Sequence, residues 1–144
     1  MFKLHSRLDA DTLEIGNLPL SAVLLMNNKH LPWVILVPRK PGIREIYELA
    51  QKDQIQLLHE SSLTGKALMS EFKGDKLNIG SLGNIVPQLH VHHIIRYEHD
   101  SIWPNPVWGN IATKTYAKIE GQQMIKRLQK RLSDCCSDFN AVRN

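Results

Sequence analysis

This 144-residue chain lacks any apolar run long enough to cross a membrane. The longest, Ala22–Met26 and Trp33–Val37, hold five residues each, against the ~20 that a spanning helix needs. Cysteine is scarce too. Cys135 and Cys136 are the only two, and neighbours in sequence are badly placed to bond each other. Neither has a Cys-x-x-Cys partner or a nearby histidine, which argues against a zinc knuckle and for two reduced thiols in a cytoplasmic protein. The leading residues, Met1-Phe2-Lys3-Leu4-His5, lack the apolar core of a secretory leader. Internal repeats and low-complexity tracts are absent. Membrane-spanning, collagen-like and disulfide-stapled classes are excluded, and an ordinary globular chain that can bury roughly 68–70% of its unfolded surface remains.

An excess of one charge is also missing from most of the chain. Residues 1–100 carry 11 Lys/Arg and 11 Asp/Glu, while residues 101–144 carry 7 and 3, which supplies the whole net charge of +4. The basic character belongs to a C-terminal appendage, whose ordinary role is a solvated helix face and whose alternative role is attraction of an anionic ligand or nucleic acid.

What is present follows a clear order. Leu20–Met26 and Trp33–Val37 are β-prone, are separated by Asn27-Asn28-Lys29, and stop at Pro38, as in an antiparallel hairpin. Asp9-Ala10-Asp11 and Gly16-Asn17 before them read as turns. Arg44–Leu49 suits a short helical turn. From Gln54 to Phe72 the apolar period becomes helical, with Ile55, Leu58, Ser62, Gly65, Leu68, Met69 and Phe72 on one stripe and Asp53 as N-cap. Gly65 inside that stripe predicts a close backbone approach. Strands over Lys76–Ile79 and Leu89–Ile95 flank a Gly80–Pro87 loop. A final helix over Tyr116–Ser133 turns Met124, Ile125, Leu128 and Leu132 inward. Strand, strand, helix, strand, strand, helix predicts an α+β fold with an antiparallel sheet. The expected division is a domain over residues 1–105 and a C-terminal extension with a basic helix over 106–144.

Chemistry concentrates in Gln88-Leu89-His90-Val91-His92-His93-Ile94-Ile95-Arg96. On a strand, side chains alternate between faces, so Gln88, His90, His92 and Ile94 share one face and Leu89, Val91, His93 and Ile95 the other. Two imidazoles about 7 Å apart on one face belong beside solvent or a ligand, because a core-facing row would be apolar. Spacing alone leaves three readings open: structural histidines, metal ligands lacking a third partner at recognisable spacing, or a reactive pair. His93 reads as structural, as do His5, His30, His59 and His99.

The same stretch resembles the histidine-triad (HIT) motif, His-φ-His-φ-His-φ-φ with φ apolar. Gln88 takes the first histidine place, His90 the middle and His92 the last, and Arg96 stands where the fragile-histidine-triad branch also has arginine. The upstream Asn78-Ile79-Gly80-Ser81-Leu82-Gly83-Asn84-Ile85-Val86-Pro87 loop is similar to the family's glycine-rich loop. The hairpin Leu24–Asn27 with Val34–Arg39, and the Trp103-Pro104-Asn105-Pro106-Val107-Trp108-Gly109 stretch, are similar to a bacterial branch akin to diadenosine-polyphosphate hydrolases.

The resemblance implies nucleotidyl transfer through a covalent intermediate. His90 would attack the α-phosphorus of a nucleotide, which suits an imidazole that is nucleophilic when neutral. His92 would hydrogen-bond phosphate oxygens or the leaving group. Backbone N–H groups of Gly83, Asn84 and Ile85 would cradle phosphate. Asn78 and Asn84 match positions touching phosphate or the leaving portion, and Asn27 a ribose-contacting position. The implied substrate is a dinucleoside polyphosphate or a nucleoside monophosphate conjugate, with no metal and no cofactor. The implied partner is a second copy in a homodimer. No membrane partner is expected, and nucleic-acid binding through the basic face of residues 114–131 is a further, weaker reading. Three departures stand out. Gln88 replaces the first histidine and cannot shuttle a proton, Trp33 stands where many members have a further histidine, and Ile85 stands where Ser or Thr is frequent. The departures leave open a second reading, a nucleotide-binding module with little catalysis. Trp103 and Trp108 read either as a lid or as packing for the last helix.

Overall fold

The computed structural model describes residues 1–143. Its elements run α1 (Ser6–Asp11), β1 (Thr12–Asn17), β2 (Ser21–Met26), β3 (Trp33–Pro38), a 3-10 turn (Ile46–Glu48), α2 (Gln51–Phe72), β4 (Lys76–Gly80), β5 (Val91–Arg96), α3 (Lys118–Cys135) and β6 (Asn140–Ala141). The six strands form one antiparallel sheet in the order β4-β5-β3-β2-β1-β6. The α+β class and antiparallel sheet expected from the sequence are therefore found, as are the β2–β3 hairpin and the 3-10 turn.

Alternation sorts each central strand onto two layers. Val23, Leu25, Val34, Leu36 and Ile95 face the main core, beneath Ala67 and Leu68 of α2 and Ile125, Leu128 and Leu132 of α3. Ala22, Leu24, Trp33, Ile35, Val37 and Ile94 face the other side, where Leu8, Val86 and Val107 cover them. Two long helices shield one side. The other is closed only by α1 and irregular chain, and that is where a cavity survives.

Helix α2 departs from the expected stripe at its N-terminal half. Ile55 is 63% exposed and Leu58 69%, while Leu57, Glu60, Ser61 and Thr64 face inward. Inward polar residues hide the true periodicity. The Glu60 carboxylate accepts from Leu20 N, Ser21 N and Ser21 Oγ at 2.7, 3.2 and 3.0 Å, so the β1–β2 connection satisfies a carboxylate that would otherwise be costly to bury. The N-cap is Ala50, without a side-chain bond, and Asp53 lies within the first turn, where it pairs with Lys40 at 3.2 Å. Gly65 behaves as expected: a Cβ there would sit 2.5 Å from Leu77 Cδ2.

Residues 118–135 pack on α2 and β1 and share the main core, and β6 extends the sheet along β1. Two of their basic side chains are paired with α2. Arg127 and Arg131 both bind the Glu71 carboxylate of α2, at 2.6 and 2.8 Å, and these bonds hold its pKa below the usual carboxylate range. No helix among the described residues is long and apolar enough to cross a membrane.

Candidate active site

A cavity of about 330 Å³ opens on the less-covered side of the sheet. His90 and His92 form its floor, the Leu82–Val86 loop one wall, and Trp108-Gly109 another. Arg7, Leu8, Asp11 and Thr12 from α1 and the start of β1 close it opposite, above Met26 and Ile35.

His90 sits one residue before β5 and is 6% exposed. Its Nδ1 lies 2.7 Å from the carbonyl oxygen of Gln88. A carbonyl only accepts, so the neutral ring carries its hydrogen on Nδ1 and leaves a lone pair on Nε2. Ser81 Oγ donates to the His90 carbonyl at 2.8 Å and anchors the loop wall to the same residue.

His92 lies within β5, opposite Ile35 of β3 and Gly80 of β4. Its Nδ1 accepts from the Trp33 indole Nε1 at 2.9 Å. Indole only donates, so the neutral His92 ring carries its hydrogen on Nε2, the reverse of His90. Trp108 stands edge-on to it at 5.4 Å between ring centres, and His90 likewise at 5.0 Å. Gly80 makes room for this arrangement, since a Cβ there would meet the Trp108 ring at 2.5 Å. Burial, then the neighbouring His90 and His93 imidazoles, pushes the His92 pKa down to about 3. Neither His90 Nε2 nor His92 Nε2 is an enclosed atom without a partner, and both rings line the cavity. The site thus offers an acceptor nitrogen and a donor N–H side by side.

Gly83, Asn84 and Ile85 also line the cavity. Gly83 has φ +74°, a left-handed turn that favours glycine. Among the described residues, none of the three backbone N–H groups is hydrogen-bonded to protein.

The remaining predicted residues lie elsewhere. Gln88 points away from the cavity: its Oε1 accepts from His5 N and its Nε2 donates to the Lys3 carbonyl, both at 2.9 Å. It thereby ties down the segment that leads into α1. Asn27 Oδ1 accepts from Tyr116 N at 2.9 Å, and its neighbour Met26 faces the cavity instead. Asn78 Oδ1 accepts from Arg96 Nη1 at 3.1 Å. Arg96, 1% exposed, forks onto Asp100 at 2.8 and 3.0 Å with Trp103 against its guanidinium. Asn27, Asn78, Gln88 and Arg96 therefore brace the cavity's surroundings rather than line it.

Sequence reasoning missed Arg7, Leu8, Asp11 and Met26 as wall residues. The pairing of β1 with β2 and the Gln88 bonds to His5 and Lys3 bring α1 to the cavity, and no local motif signals it. Trp108, for which the sequence allows either a lid or packing, is a wall of the cavity. Among the described residues, no group of three or more His, Cys, Asp or Glu is placed to hold a metal ion.

Residues 7–99 match the HIT domain. The chain is similar to three solved histidine triad proteins. One from Marinobacter aquaeolei VT8 is 50% identical, with a TM-score of 0.91 and coverage of 94% of this chain and 99% of the relative. One from Bradyrhizobium japonicum is 47% identical, with a TM-score of 0.87 and coverage of 90% and 97%. One from Sinorhizobium meliloti 1021 is 42% identical, with a TM-score of 0.89 and coverage of 92% and 98%. No curated protein matches. The matched span and these near full-length likenesses together make the chain a member of the HIT family.

Proposed function

We propose that this protein is a nucleotide hydrolase or nucleotidyl transferase that acts at the α-phosphate through a covalent intermediate on His90. The observation that carries this reading is the His90 ring itself. Its Nδ1–H is fixed on the Gln88 carbonyl, and its Nε2 lone pair lies beside a wall of unspent backbone N–H groups. Attack of Nε2 on phosphorus expels the leaving group and forms a nucleotidyl-imidazole, and water or an acceptor hydroxyl then releases the nucleotide. Gly83, Asn84 and Ile85 hold the non-bridging oxygens through N–H groups already in place, a form of charge stabilisation that costs no reorganisation. His92 donates through Nε2–H. Gln88 acts through its carbonyl, and Asn27, Asn78 and Arg96 support the fold around the bound nucleotide.

The substrates we favour are dinucleoside polyphosphates and nucleoside monophosphate conjugates, with neither metal nor cofactor, in a cytoplasmic homodimer related to the fragile-histidine-triad and diadenosine-polyphosphate hydrolase branch. The salt links of Arg127 and Arg131 to Glu71 favour a structural role for the basic helix over nucleic-acid binding. A panel of such nucleotides, run on wild type beside His90→Asn, tests the assignment. Turnover by wild type and a loss of about 10³-fold or more in the variant is expected. Equal turnover by both would refute it.

One observation favours a second reading, a nucleotide-binding module. The first triad place holds a carboxamide bound to the N-terminal segment, so that place of the motif contributes no proton chemistry. Binding of the same panel without any turnover would establish that reading instead.

A further inference from the structure

Trp33 is 4% exposed, and its indole N–H has one partner, His92 Nδ1. A proton added at Nδ1 would set two donors against each other in the protein interior and leave both unsatisfied, at the cost of an unmade buried hydrogen bond. Among the described residues, no group packed against the ring carries a compensating negative charge. Ile35 of β3 and Gly80 of β4 lie opposite it, and Trp108 stands edge-on from the 102–111 segment. The titratable neighbours are the imidazoles of His90 and His93, whose protonation would oppose its own. At the cavity's far wall, Arg7 and Asp11 pair with each other at 3.5 Å, and both side chains are more than half exposed, so solvent screens their charges. Among the described residues, no lysine and no further carboxylate lines the cavity.

We propose that Trp33 is a positioning residue that holds His92 as a neutral N–H donor, and that the site consequently favours leaving groups departing as stable anions, such as phosphate or polyphosphate, over amines. This rests on the reading of His90 as nucleophile. In the first step the His90 Nε2 pair forms the P–N bond while the P–O bond to the leaving group breaks. The leaving oxygen keeps the electron pair, and His92 Nε2–H hydrogen-bonds the developing anion without giving up its proton. In the second step a water oxygen forms the new P–O bond, the P–N pair returns to His90, and the water proton passes to solvent. An amine leaving group needs a proton as its P–N bond breaks, and a ring locked in this way is a poor source of one.

The lock is read directly from the His92 ring by nitrogen-15 NMR on protein labelled at histidine. The expected result is an Nε2–H tautomer that stays neutral between about pH 5 and pH 8. An Nδ1–H tautomer, or protonation within that range, would overturn the proposal whether or not any substrate is known. Trp33→Phe keeps an aromatic ring in the core and removes the donor, so the His92 ring should exchange between tautomers and take up a proton nearer the ordinary value. The second arm compares adenosine 5′-(4-nitrophenyl phosphate) with adenosine 5′-phosphoramidate. Wild type should prefer the ester in kcat/KM by about 10²-fold or more, the contribution of a missing general acid. In Trp33→Phe the preference should shrink towards low pH. Comparable rates for both substrates in wild type would contradict the proposal while leaving the role of His90 intact, whereas an active His90→Asn would remove the reading beneath it.

Discussion

His92 and His93 are neighbours on one strand, both buried, and burial pushes both down, to about 3 and about 4. They differ in the layer they face. His93 points under α2, where its Nε2 meets Ser61 Oγ at 2.7 Å and its Nδ1 is enclosed. His92 points to the side that no long helix covers, has one nitrogen fixed by Trp33, and turns the other to a cavity. A buried, perturbed imidazole is therefore not by itself a functional one. What separates the pair is an unspent nitrogen beside space that a substrate can occupy. The cavity face of β5 divides in turn, with His92 at its chemical end and Arg96, two rungs beyond, bound to Asp100 and Asn78 at its structural end.

The largest effect should come from breaking the structural end. Arg96→Met leaves the Asp100 carboxylate without the cation that holds its pKa low, and should destabilise the fold by about 3–5 kcal/mol, measured by urea unfolding. A loss below about 1 kcal/mol would place that network among the unimportant ones. Next comes the pair itself. His92→Asn should cut kcat/KM by about 10²–10³-fold, the cost of one aligned donor, with the denaturation midpoint little moved. His93→Leu should do the opposite, costing about 1–3 kcal/mol for the stranded Ser61 hydroxyl while turnover per folded molecule stays within about threefold. If both variants lost activity alike, the distinction between the two faces would collapse.

The smallest effect is a pH dependence. Both rings have folded pKa values below the ordinary histidine value of 6.5, so unfolding takes up protons. The stability they supply is complete above pH 6.5 and is lost as pH falls toward about 4 for His93 and about 3 for His92. The expected slope is about 1.4 kcal/mol per pH unit for each ring. Glu71, held low by Arg127 and Arg131, adds to the loss only below its ordinary value of 4.5, so the window from 6.5 to 4.5 isolates the histidines. His93→Leu should halve the slope there, and an unchanged slope would mean that His93 is not buried neutral.

The hairpin and the His-x-His spacing were legible because each is a local pattern: an apolar run ended by Pro38, and a period of two that holds on any strand. Element β1 was not, because Gly16-Asn17 and Asp9-Ala10-Asp11 read as turns. The first pair closes β1 just past a bulge at Ile15, and the second lies inside α1. The face of α2 was misjudged where Glu60, Ser61 and Thr64 take inward places on account of distant partners. Asn27 illustrates the same limit at the site. It stands one residue past the end of β2, and a single step reverses the face, so Met26 reaches the cavity and Asn27 reaches Tyr116. Local pattern identified the reactive pair. The walls around it depend on which strands meet.

The central claim is that the His90 ring forms a bond to phosphorus. Rapid acid-free quenching during turnover of a dinucleoside polyphosphate, followed by peptide mass spectrometry, tests it most directly. The account predicts a nucleoside monophosphate adduct on the peptide containing His90, absent in His90→Asn. Active turnover with no adduct on that peptide, under conditions that preserve phosphohistidine, would contradict it.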